Sequence, residues 1–80
     1  MARIIDTEKT NIVGRSIRIW RKKRKFSQQI LSNKLELMGV YVCRGSVSRI
    51  EDYSRTVTDI ELFAIAEALG VDPNELYNVK

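Results

Sequence analysis

The side chains that could do chemistry here are mostly bases: Lys and Arg number 14, Asp and Glu number 10, histidine is absent, and Cys43 is the single cysteine. A guanidinium keeps its charge and presents a planar fork of donors. It therefore suits carboxylates, phosphates or the acceptor edge of guanine, not the shuttling of protons. Spacing narrows the choice. Gly45, Ser48, Arg49 and Asp52 fall on one side of a helix, with Arg44 flanking it at the amino end, if Val47 and Ile50 take the other, at about 100° per residue. Residues 21–25, R-K-K-R-K, form the only biased stretch. With no histidine there is no ordinary zinc site, and one cysteine excludes an internal disulfide. No phosphate-binding glycine loop or metal-ligand cluster is visible, and the carboxylates sit where caps and ion pairs need them. Catalysis has the least support, and neither a metal nor a cofactor is expected.

The charge is divided along the chain. Residues 1–58 carry thirteen Lys/Arg against five Asp/Glu, a balance of +8, whereas residues 59–80 carry only Lys80 against five acids, a balance of −4. Such segregation gives one face to a polyanion and leaves another for something else. The 80 residues make one domain, divided into an arm at 1–10 and a folded unit at 11–80. No apolar run approaches the roughly 20 residues that span a bilayer, and the amino terminus has no signal-peptide apolar stretch. A membrane-surface role for the basic helix conflicts with its apolar stripe, which the core requires. The lone thiol fits a reducing cytoplasm.

One proline and four scattered glycines argue for helices rather than a turn-rich sheet. The first helix is predicted from Asn11 to Lys25, with Val13, Ile17, Trp20 and Arg24 as a stripe ending in a base. Trp20 reads as core. The second starts at Ser27 as N-cap, buries Leu31, Leu35 and Met38, and stops at Gly39. V-Y-V-C connects it to a third, which buries Val47 and Ile50 with Cys43 and Glu51 at the margins. Thr58 and Glu61 form a capping box for the fourth, which buries Ile60 or Leu62, then Ile65, Ala66 and Leu69, and ends at Gly70. A fifth opens with Asp72 as cap, Pro73 in its first turn and Glu75 completing a box, with Val71 and Leu76 as a staple. The fold class is all-α, with five short helices.

Four stretches now line up: G-R-S-I-R-I-W-R-K-K-R at 14–24, S-Q-Q-I-L at 27–31, V-S-R-I-E at 47–51 and I-A-E-A-L-G-V-D-P-N-E-L at 65–76. In that order the chain resembles the phage lambda repressor/Cro-type (Xre-like) helix-turn-helix family over about residues 12–77. It differs in the eleven residues between Leu35 and Val47, a longer link than the family's common form. The resemblance implies a lambda-repressor-like DNA-binding domain whose second and third helices form the helix-turn-helix.

On that reading the third helix enters the major groove. Arg44 and Arg49 read guanine O6 and N7, Gly45 admits a close backbone approach, and Ser48 contacts either strand. Ser27 and Gln28 hold a phosphate at the start of the second helix, with Lys23, Arg24, Tyr53 and Arg55 as further phosphate candidates and Arg3 reaching from the arm. The family implies an Arg21–Glu51 structural ion pair. Cys43 reads as an inert, half-buried thiol. Asp52 would repel phosphate, so its side chain is expected to turn away or cap locally, and Ile19 and Ile30 are surface residues or a second contact surface.

The function that follows is sequence-specific binding of double-stranded DNA by a transcriptional regulator, a repressor acting by occupancy in the nucleoid. The resemblance implies a homodimer on a two-fold operator, with Leu76, Tyr77 and Val79 in the dimer surface. The alternative is an antitoxin-type DNA-binding partner of a small toxin protein, using the acidic C-terminal helices or Ile19 and Ile30.

Overall fold

Helix punctuation decides where this chain turns. The computed structural model describes residues 9–77. It contains α1 (Gly14–Lys23), α2 (Gln28–Leu37), α3 (Arg44–Glu51), α4 (Asp59–Leu69) and a closing 3₁₀ helix, Pro73–Tyr77, with no strand among the described residues. Ser27 caps α2 by accepting the Ile30 N–H at 3.0 Å, and Thr58 and Glu61 form the expected reciprocal box on α4. Each satisfies donors that a helix start leaves open.

All four α-helices close with the same crossed pair of backbone bonds. After α2, Gly39 N–H reaches Glu36 and Val40 N–H reaches Leu35; after α4, Gly70 and Val71 reach Glu67 and Ala66. This closure requires a left-handed residue. Gly39 and Gly70 supply it at φ 82° and 70°, but α1 and α3 use Lys25 at φ 59° and Tyr53 at φ 68°. These two side-chain-bearing residues are strained in a region that favours glycine. The early turn at Lys25 ends α1 before the predicted Lys25 boundary.

The start of α1 also differs from the Asn11 prediction, because Asn11 lies outside the helix and clamps it. Its Oδ1 accepts the Val13 and Gly14 N–H groups at 3.0 and 2.8 Å, while its Nδ2 donates to the Ile50 and Arg55 carbonyls at 3.1 and 2.8 Å. One amide thus joins the start of α1 to the end of α3. Gly14 makes that seam close: a Cβ there would collide with the Ile50 carbonyl oxygen and lie 3.1 Å from that of Glu51.

The core lies where α1 to α4 and the 3₁₀ helix converge, and Ile17, Leu31, Leu35, Val47, Ile50, Ile65, Leu69 and Leu76 are fully buried in it. The Ile60-or-Leu62 alternative resolves to Leu62, with Ile60 at 69% exposure. Met38 and Trp20 stand at the margin, exposed and half-buried respectively. The fifth helix is a 3₁₀ helix rather than an α-helix, but keeps its expected cap: Asp72 Oδ1 accepts Asn74 N–H at 2.8 Å, and Leu76 turns wholly inward. Leu76 is therefore core and is withdrawn from the expected dimer surface; Val79 lies outside the described residues.

Candidate nucleic-acid interface

Val47 and Ile50 commit one side of α3 to the core, so the helix must present the other. Arg44, Gly45, Ser48 and Arg49 are all exposed on it. Arg49 is partly oriented by Ser46, a residue the sequence reading passed over, whose hydroxyl accepts from its Nη2 at 3.2 Å. Gly45 faces open space, with Arg49 Nη1 at 3.6 Å the nearest atom to a hypothetical Cβ. Its lack of a side chain is not required by packing. A shallow groove between α2 and α3, lined by Gln29, Asn33, Tyr41, Arg44 and Gly45 among others, borders this edge.

The opposite end of α3 is anchored. Glu51 takes Arg21 Nε on Oε2 at 2.6 Å and Nη2 on Oε1 at 3.0 Å, and both residues are 8% exposed. The Arg21 Nη1 donates to the Phe26 carbonyl at 2.7 Å, and Gln28 Nε2 donates to Glu51 Oε1 at 3.2 Å. One carboxylate therefore ties α3 to α1 and to the first turn of α2. Ser32 Oγ donates to the Val42 carbonyl at 2.7 Å and fixes the link that delivers α3. Helix α2 runs to Leu37 with Met38 as its C-cap, close to its predicted stop at Gly39, and the connector that follows reaches Cys43.

Cys43, expected half-buried, is exposed at the α3 N-cap. Its thiol lies below the ordinary range because the Ser46 hydroxyl and the Ser46 and Gly45 N–H groups favour the thiolate, with Arg49 adding a weaker attraction. Asp52 caps locally, as expected, accepting the Ser54 N–H at 3.0 Å.

The phosphate candidates separate into two groups. Ser27 and Gln28 stand beside the anchored end of α3, as does Tyr53, whose carbonyl accepts Thr10 N–H and Oγ1. Lys23, Arg24 and Arg55 are drawn elsewhere. Lys23 Nζ lies 4.6 Å from the Trp20 ring centroid. Arg24 Nε donates to the Leu69 carbonyl at 2.7 Å, helping to close α4. Arg55 forms a fork with Glu61, at 3.0 and 2.7 Å, which holds the Glu61 carboxyl below the usual carboxylate range. For Arg24 and Arg55, the fold has uses that the basic pattern did not reveal. Arg3 lies outside the described residues.

No protein-family model matches the chain, and no curated protein matches it. Among solved structures, the restriction-modification controller protein C.AhdI from Aeromonas hydrophila is 30% identical, over 80% of this chain and 86% of that one, with a TM-score of 0.68. This chain belongs to the lambda-repressor-like (Xre-like) helix-turn-helix family. A second similar structure is the P22 c2 repressor in complex with synthetic operator 9T, at 28% identity over 84% of this chain and 94% of that one, with a TM-score of 0.70. In the family's terms α2 and α3 are the helix-turn-helix pair, and α3 is the recognition helix.

Proposed function

We propose that this protein is a sequence-specific regulator of transcription that binds double-stranded DNA through α3. One observation carries the reading: Arg44, Gly45, Ser48 and Arg49 make an exposed edge on a helix whose other side is core and whose end is held by Arg21 and Gln28. A rigid helix with two exposed guanidinium groups suits a major groove, where each bidentate arginine–guanine contact is worth roughly 1–3 kcal/mol of discrimination. Ser27 and Gln28, at the amino end of α2, would set the register on the backbone. The likeness to a restriction-modification controller and to a repressor in complex with an operator supports this reading.

A bound protein of this size blocks polymerase by occupancy, which favours a repressor over an activator; such a repressor would act in the cytoplasm, on the nucleoid. A homodimer would place two α3 helices about 34 Å apart on a two-fold site. Tyr77 remains available to its surface at 50% exposure. A second reading, an antitoxin-type DNA-binding partner, draws on Ile60 and Phe63, exposed by 69% and 60% on α4; co-purification with a second small protein would favour it.

Selection of bound duplexes from a random pool tests the main reading. A palindrome with guanines in each half-site is the expected product. Unenriched DNA, or the same enriched sequence from an Arg44→Ala/Arg49→Ala variant, would remove α3 as the reader.

A further inference from the structure

The outward face of α1 is built at a cost the fold does not explain. Arg15, Arg18 and Lys22 lie at i, i+3 and i+7, so three cations share one stripe. Like charges at these spacings destabilise a helix, and the first turn, where the helix dipole disfavours cations, holds Arg15 and no acid. Among the described residues none of the three has a salt bridge; the two ion pairs present are Arg21–Glu51 and Arg55–Glu61.

These side chains converge on a groove. Arg15, Arg18, Ile19 and Lys22 line it with Glu51 and Tyr53, just beyond the end of α3. Lys9 adds a fourth cation, its Nζ 4.4 Å from the Tyr53 ring centroid. Among the described residues, the one acid bordering the groove is already satisfied, since Glu51 is buried and bonded to Arg21 and Gln28. That carboxylate also sets the groove beside the first turn of α2, where Gln28 stands.

We propose that the α1 groove of Arg15, Arg18, Lys22 and Tyr53 seats the DNA backbone, extending the phosphate track of α2 outside the bases that α3 reads. The inference rests on the DNA-binding reading above. A polyanion with regularly spaced charges is the occupant that offsets three unpaired cations on one helix face, and Ile19, 39% exposed among them, offers apolar contact to a sugar.

The experiment compares the full chain with an Arg15→Gln/Arg18→Gln/Lys22→Gln variant on the selected duplex across a salt series. Loss of three phosphate contacts should flatten the slope of log K against log salt by roughly 0.9 per contact and weaken binding on the order of a hundredfold near physiological salt. Sequence preference should stay the same, and thermal stability should hold or rise as the like-charge repulsion goes. Neutral methylphosphonates placed in the duplex flank should weaken wild-type binding more than that of the variant. An unchanged salt slope, with wild-type binding intact, overturns the groove assignment alone. A wild-type chain that binds no duplex overturns both this inference and the reading beneath it. An unchanged slope with altered self-association at low salt overturns it in favour of an acidic face on a second copy.

Discussion

Gly14 and Gly45 lie in helices that touch, yet their surroundings are opposite. Gly14 sits in the seam between α1 and α3, where a Cβ would strike the Ile50 carbonyl; Gly45 sits on the outward edge of α3, where a Cβ meets ordinary or empty space. The seam also holds the Asn11 clamp and the Arg21–Glu51 fork, whereas the outer edge keeps two arginines exposed. The contrast teaches that α3 is two things at once. Its inner side and end are fixed by packing and a buried ion pair, so that its outer side can be specified by what it touches outside the molecule.

Substitutions on either side should fail in different assays. The largest effect is expected from Glu51→Ala, which leaves Arg21 buried without its partner; urea unfolding should show a loss of about 3–5 kcal/mol. Gly14→Ala should force α1 and α3 apart and cost about 1–3 kcal/mol in the same measurement. A Gly14→Ala protein as stable as the parent would mean that the seam is looser than the geometry implies.

Arg49→Ala should leave stability within about 0.5 kcal/mol but remove roughly 1–3 kcal/mol of discrimination at one base pair, read by binding to single-base operator variants. Equal weakening on specific and random duplexes would reassign Arg49 to the backbone. Gly45→Ala is the sharpest contrast with Gly14→Ala. It should stabilise the fold by about 0.5–1 kcal/mol, since a helix loses its glycine penalty, while weakening operator binding if the backbone approaches DNA there. Thermal melts and binding on one preparation would separate the two effects. A stability change of similar size is expected from Lys25→Gly, which relieves a left-handed residue and should stabilise the fold by about 1 kcal/mol in urea.

Local signals in the sequence were legible where a residue's own chemistry sets the backbone. Ser27, the Thr58–Glu61 box, Gly39 and Gly70 sit at the predicted ends, because caps and left-handed closures depend on residues within one turn. Periodicity likewise separated Val47 and Ile50 from Ser48 and Arg49. It could not see that Lys25 and Tyr53 would adopt glycine's conformation, since nothing in either side chain asks for it. Nor could composition tell a free arginine from a committed one. Arg24 and Arg55 read as bases for phosphate, and only the approach of the Leu69 carbonyl and the Glu61 carboxylate gives them their internal partners.

By itself the sequence determined the four α-helices, their apolar faces, the basic-to-acidic division and the edge carrying Arg44, Gly45, Ser48 and Arg49. These follow from interactions between residues a few positions apart. Tertiary structure decided the rest: the Asn11 clamp across 39 residues to Ile50, the burial of Leu76, the choice of Leu62 over Ile60, and the meeting of Arg15, Arg18 and Lys22 with Tyr53 in one groove. Each depends on which helices lie side by side. That arrangement is set by the summed packing of the whole core, so no single local pattern could specify it.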